Sequence, residues 1–203
     1  PSVGPGNILG EILRAGVVPT VRLTDIFRQA QQSLIVQNAH RIVEGRMPQK
    51  GGAKDDFFLI ESTGLACQKL VCDLVSKRLP KAYGFDPVRD IQVLCPSRLL
   101  DTGTVSLNNM LQTALNPDTG KKAQLSFKGI YFRVGDKVMQ TKNNYDLQYK
   151  RDGGEYGTGV FNGDVGFITD IDKRGGIMTV RYDDRTVTYF SEDLSELEPA
   201  YAV

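Results

Sequence analysis

The chain has 203 residues, 40% of them hydrophobic and 24% charged, with a net charge of only +1, a composition ordinary for a globular protein that can bury a real core. No run approaches the ~20 apolar residues that cross a bilayer, and no basic-then-apolar leader opens the chain, which predicts a cytoplasmic protein with no membrane partner. The charge is unevenly spread: residues 1–123 carry 15 basic and 11 acidic groups, residues 124–151 carry 6 and 2, and residues 152–203 carry 4 and 11. A basic stretch before an acidic end is compatible with DNA on one face, and equally with scattered surface charge.

Residues 7–15 read as a short helix, with Asn7 as its cap, a stripe of Ile8, Leu9, Ile12 and Leu13, and Gly16 to stop it. Residues 17–23 read as a strand with Pro19 near its start. Leu34, Ile35, Ala39, Ile42 and Val43 predict a helix within residues 31–44 that ends at Gly45. A polar loop over 46–56 leads to a strand at 57–61. Leu65, Cys67, Leu70, Val71, Leu74 and Val75 repeat at helical spacing, and Pro80 is expected to end that helix. Residues 91–95 suit a buried parallel strand, and 105–115 are again helical. This alternation over residues 1–116 predicts an α/β layer with a parallel sheet. Cys67, Cys72 and Cys95 are too few and too oddly spaced for a disulfide framework or zinc site, and are expected to be buried free thiols.

The pattern changes after Asn116-Pro117. From Leu125 the period is close to two, and residues 165–171, 177–182 and 186–190 read as strands joined by turns at 173–176 and 183–184. Short strands with tight turns predict a small SH3-like barrel beginning near residue 125. The chain starts at Pro1 and stops at Val203 without a cap or tail, and is expected to be an internal piece of a longer protein.

No Gly-x-x-x-x-Gly-Lys-Ser/Thr phosphate loop occurs in the sequence. The glycines between 153 and 159 lack dinucleotide spacing and read as a loop. His40, the sole histidine, has no second imidazole or thiol beside it and cannot make a metal site alone. Two features at element ends are less ordinary. Pro1-Ser-Val-Gly-Pro-Gly6 is a stiff turn into a helix N-terminus, either only a turn or a place for an anion. Arg28 sits between a strand and a helix, either as a surface arginine or as a bidentate phosphate clamp at the carboxyl end of a sheet.

Several blocks then line up with one family. Pro1-Ser-Val-Gly-Pro-Gly-Asn-Ile-Leu9 resembles the tail of motif III in RecD-type helicases. Phe27-Arg-Gln-Ala30 followed by Ser33-Leu-Ile-Val-Gln-Asn-Ala-His-Arg-Ile42 is similar to motif IV. Val93-Leu-Cys-Pro96 with Gly103-Thr104 and Leu107-Asn108 resembles the next block. Phe132-Arg-Val-Gly-Asp-Lys-Val-Met-Gln140, Asn143-Asn-Tyr145 and Val160-Phe-Asn-Gly-Asp164 look like the stretch before motif V, at whose doorstep Glu198-Pro-Ala-Tyr-Ala202 would lie. The blocks occur in family order along nearly the whole chain. One departure is Pro96-Ser-Arg-Leu-Leu100, where the family usually has Pro-Met and then a glycine.

The chain thus resembles an internal fragment of a RecD-type (exodeoxyribonuclease V alpha subunit-like) superfamily 1 DNA helicase, from motif III to just before motif V. The resemblance implies a partial second RecA-like domain at 1–124, an inserted SH3-like barrel with flanking strands at 125–198, and a return to the RecA-like domain at 199–203. It implies an ATP-dependent 5′→3′ helicase acting in DNA repair and recombination, with ATP and Mg²⁺ bound by the full enzyme and neither by this piece alone, which would be inactive. Arg28 would reach the γ-phosphate with Gln29 beside it. Asn143, Asn144, Tyr145 and Asn162 would contact single-stranded DNA, together with Arg98 and Thr104 in the departing block. The implied partners are single-stranded DNA, the rest of the same helicase and subunits of a nuclease complex. From a different class, a freestanding nucleic-acid or protein binding module built on the barrel is the alternative.

Overall fold

The computed structural model describes residues 6–21, 33–52 and 54–203, and the chain divides into two compact units, Pro1–Glu61 and Ser62–Val203. In the first unit, helix α1 spans Ile8–Ala15. The Asn7 side chain accepts from the Gly10 amide at 3.1 Å, and Gly16 leaves the helix in the left-handed region. Helix α2 spans Leu34–Val43, within the expected 31–44, and is capped by Ser33. Its cap is completed from outside: the Asp56 carboxylate accepts from the Leu34 and Ile35 amides at 2.8 and 3.2 Å and from the Ser33 hydroxyl at 2.5 Å. Buried Asn38 exchanges two hydrogen bonds with the backbone of Gln49 and ties the following loop to the helix. Two expected strands do not form among the described residues. Residues 17–21 are irregular, and 22–23 lie outside the described residues. At 57–61, Phe58, Leu59 and Ile60 are exposed, and no strand among the described residues completes a ladder for their backbone groups.

The second unit begins with α3 at Gly64–Asp73. Contrary to expectation, Pro80 does not end this helix. A π-helical turn at Leu74–Arg78 carries it into α4 at Leu79–Tyr83. The Leu79 amide reaches back to the Leu74 carbonyl, and this wide turn places Pro80 at the start of a new α segment, where its missing N–H and fixed φ are tolerated. Helix α5, Thr104–Leu115, packs Leu107 and Leu111 against Val75, Tyr201 and Ala202. The strand expected at 91–95 is reduced to a single parallel bridge, Val93 with Ala202, extended by hydrogen bonds between Cys95 and Val203 and between Val203 and Val93. The described residues offer it no neighbour but the last residues of the chain. The three cysteines are free but only half-buried.

The remainder is antiparallel. β1 (Gln124–Phe127) and β2 (Ile130–Arg133) form a hairpin. The sheet contains β3 (Lys137–Gln140), β4 (Asn144–Arg151), β5 (Tyr156–Val160), β6 (Val165–Asp172), β7 (Ile177–Tyr182), β8 (Arg185–Tyr189) and β9 (Leu197–Pro199), in the order β5-β4-β8-β7-β6-β3-β9. Its edge strands β5 and β9 both feed one core, through Val160 and Leu197, together with Phe132, Val138, Ile168, Met178, Val180, Val187 and Tyr189. A sheet whose two edges share a core must curl. The glycines read as a loop are partly strand: Gly157 lies opposite Tyr149 in β4, whose hydroxyl would be 2.5 Å from any Cβ there. The ring covers the glycine's empty face, so the small residue serves sheet packing.

Asp136, fully buried, joins the helical core to the curled sheet. Its Oδ1 accepts from Asn116 Nδ2 at 2.6 Å and Tyr201 Oη at 2.9 Å, and its Oδ2 accepts from Gln112 Nε2 at 2.6 Å and the Arg133 amide at 2.7 Å. All four donors are neutral groups, and together they satisfy both buried oxygens.

Candidate functional site

The connection from β3 to β4 meets the β5–β6 turn at one corner of the sheet. The turn is Phe161-Asn-Gly-Asp164, in which Gly163 adopts a φ of 95° that a side chain would strain. Its ends are held by Gln140, whose amide donates to the Asp164 carbonyl and whose carbonyl accepts from Gly163, both at 2.9 Å. The Asp164 carboxylate accepts from the Phe161 amide at 3.0 Å and from Arg185 at 2.5 Å. Asn143 Oδ1 accepts from the Asn162 amide at 3.0 Å, which pins the connection to the turn.

Asn144 opens β4. Its Oδ1 accepts from the Asp146 and Leu147 amides at 3.1 and 3.0 Å, and its Nδ2 donates to Glu196 at 3.0 Å. The register against β5 jumps here, from Asn144 opposite Val160 to Gln148 opposite Thr158. Tyr145 stands on that bulge, 67% exposed, edge-on to Phe161, itself 39% exposed, with ring centroids 5.5 Å apart. Exposed Lys142 precedes the pair. An accessible ring can stack a flat base, and an exposed ammonium on the same connection can face a phosphate.

Four of the expected DNA contacts, Asn143, Asn144, Tyr145 and Asn162, are therefore gathered in one place. Asn143 and Asn144 spend their carbonyl oxygens on shaping the corner, while Tyr145 is the group left facing solvent. Arg98 and Thr104 are elsewhere in the unit. The Arg98 guanidinium bonds Glu198 at 2.8 and 3.2 Å. At the start of α5, Thr104 N donates to the Ser97 carbonyl at 3.1 Å and Val105 N to the Arg98 carbonyl at 3.3 Å, so those amides are already taken. Gly103 is required there, since a Cβ would lie 2.6 Å from the Arg98 backbone. Arg28 and Gln29 lie outside the described residues, as do residues 1–5 of the opening turn.

Phe161 and Glu196 are neighbours of the corner that the sequence did not single out. An aromatic directly before an Asn-Gly-Asp turn was a usable signal for the first, whereas Glu196 is distant in sequence and had none. Behind the corner runs a buried file: Tyr182 Oη to Tyr189 Oη at 2.6 Å, and Tyr189 Oη to Gln140 Oε1 at 2.8 Å. Burial pushes the Tyr182 hydroxyl up to about 12, partly offset by its bond to Tyr189, and raises Tyr189 further. Among the described residues no group of three His, Cys, Asp or Glu side chains could hold a metal ion, and no helix is long and apolar enough to cross a membrane.

Residues 107–182, from α5 to the end of β7, match the family described as the ATP-dependent RecD-like DNA helicase SH3 domain. The sheet as far as β7 is thus similar to the SH3 domain of a helicase class. Beyond it, the chain is 30% identical over 189 residues to the ATP-dependent RecD2 DNA helicase of Deinococcus radiodurans, a match covering 93% of this chain and 23% of that protein. The chain belongs to the RecD-like helicase family, as a segment spanning about a quarter of the length of this curated relative.

Proposed function

We propose that this chain is the part of an ATP-dependent DNA helicase that carries one wall of the single-strand track and one side of the nucleotide cleft. Residues 1–124 with 199–203 are read as most of the second RecA-like domain, and 125–198 as the SH3-like barrel inserted in it. The parallel bridge between Val93 and Ala202 supports that reading, because it returns the chain after the barrel to the element before it. The helicase would couple ATP hydrolysis to 5′→3′ movement along single-stranded DNA and to duplex unwinding in repair and recombination. In that enzyme ATP with Mg²⁺ supplies the phosphoryl chemistry. This chain has no phosphate loop, and its own share is Arg28, which would neutralise charge on the γ-phosphate with Gln29 at its side.

The observation that carries the DNA side is the exposed Tyr145–Phe161 pair at a corner braced by Asn143, Asn144 and Asn162. Tyr145 stacks on a base of the strand, and the Lys142 ammonium faces its phosphates. Such a stack is worth ~1–3 kcal/mol, roughly 5- to 150-fold in affinity. In the intact helicase, Tyr145→Ala is expected to weaken single-strand binding within that range and Tyr145→Phe to leave it nearly intact. Unchanged affinity in Tyr145→Ala, measured by fluorescence anisotropy, refutes the assignment.

A further inference from the structure

Glu196 ends a 3-10 turn at Asp193–Glu196, directly before buried Leu197 of β9. It is half-buried and has no cation partner among the described residues. It nevertheless accepts four hydrogen bonds, all from the segment between β3 and β4. Its carbonyl takes the Thr141 amide at 2.7 Å and the Thr141 hydroxyl at 2.9 Å. Its Oε2 takes Gln140 Nε2 at 2.8 Å and Asn144 Nδ2 at 3.0 Å.

The second pair matters because an amide side chain can point either way. An ionised carboxylate has only acceptors. Facing it, Asn144 must present Nδ2, which leaves Oδ1 for the Asp146 and Leu147 amides inside the β4 bulge. Gln140 must likewise present Nε2, which leaves Oε1 for the Tyr189 hydroxyl, itself bonded to Tyr182. This acceptor-only group therefore sets the polarity of Gln140, whose other partner is a hydroxyl, and acts with the donor-only Asp146 and Leu147 amides to set that of Asn144, in a network that runs from the barrel core to the bulge bearing Tyr145. A neutral amide at 196 could present a donor instead and would not set it.

We propose that Glu196 is the positioning residue of the strand-binding corner: without touching DNA, it orients Asn144 and so fixes the bulge that presents Tyr145 beside Phe161. This rests on the reading of Tyr145 as a base-stacking residue.

The test uses the intact helicase and a single-stranded oligonucleotide carrying 2-aminopurine, whose fluorescence is quenched when it stacks on an aromatic ring. Glu196→Ala should lose the quenching that Tyr145→Ala loses and weaken binding about tenfold, with the salt dependence of affinity unchanged because phosphate contacts are untouched. Asn144→Asp keeps an acceptor for the bulge amides but sets a second carboxylate against Glu196, and should also lose the quenching. Combining it with Glu196→Gln restores a donor–acceptor match and should recover it. This pair carries the test should Glu196→Ala fail to fold. Full quenching in Glu196→Ala, or no recovery in the double variant, overturns the positioning role. Full quenching in Tyr145→Ala overturns instead the stacking assignment beneath it.

Discussion

A guanidinium grips two phosphoryl oxygens at once, through parallel N–H donors in a rigid plane, and an ammonium on a flexible stem does not. That difference makes the proposed role of Arg28 testable at the scale of a single residue. If it meets the γ-phosphate, Arg28→Ala lowers DNA-stimulated ATP turnover by ~10³-fold or more. Arg28→Lys keeps the charge and should recover only part of the loss. Single-strand affinity should survive both changes, because the stacking corner is built from Tyr145, Phe161 and the asparagines that brace them. Turnover and oligonucleotide binding measured on the same preparations separate the two effects, and near-normal turnover in Arg28→Ala would exclude the role. By the same logic Arg98→Ala is expected to change single-strand affinity little, since its guanidinium is already engaged by Glu198.

At the scale of elements, the start of α1 was readable because its capping residue is local. Asn7, the expected cap of α1, accepts from a first-turn amide, and Ser33, which helical spacing alone does not mark, does the same for α2. The reinforcement of α2 by Asp56 was not readable, because it comes from 21 to 23 residues away. It has a consequence. The Ser33 hydroxyl, opposed by burial and aided by the Ile35 and Leu34 amides, holds the Asp56 carboxyl below the usual carboxylate range. A carboxyl with a lowered folded-state pKa stabilises the fold above its unfolded pKa and loses that contribution as pH falls through the folded one. Hydrogen exchange at the Leu34 and Ile35 amides should therefore show weaker protection in Asp56→Ala at neutral pH, and in the parent protein only below the ordinary aspartate range. Equal protection in variant and parent would mean that the carboxylate is not holding the helix start. The π turn before Pro80 was hidden for a related reason: a proline stops an α-helix, but a helix that widens can carry it.

At the scale of the whole molecule, the period-two half was the more legible. The strands expected at 165–171, 177–182 and 186–190 appear as β6, β7 and β8 with at most one residue's difference at their ends, because tight turns and alternating burial specify them locally. The strands expected at 57–61 and 91–95 were not realised, since a parallel strand depends on neighbours that its own residues cannot name. The candidate site divides the same way: the asparagines and Tyr145 stood out as a motif, while Glu196 acquires meaning only once the turn before β9 is brought against the connection from β3 to β4. The buried tyrosine file makes a last property of the molecule predictable. In the unfolded chain tyrosine ionises near pH 10, whereas burial raises Tyr182 to about 12 and shifts Tyr189 and Tyr201 in the same direction. Between those values the unfolded chain has released a proton that the folded one still holds, so stability is complete below pH 10 and falls as pH rises toward 12. For Tyr182 alone the loss is on the order of 3 kcal/mol. Denaturant unfolding of the barrel followed from pH 8 to 12 should show the midpoint falling above pH 10, with a shallower fall in Tyr182→Phe, which has no hydroxyl to ionise. A midpoint that stays level across that window would mean that the hydroxyls reach solvent, and that the file from Tyr182 to Gln140 is not closed.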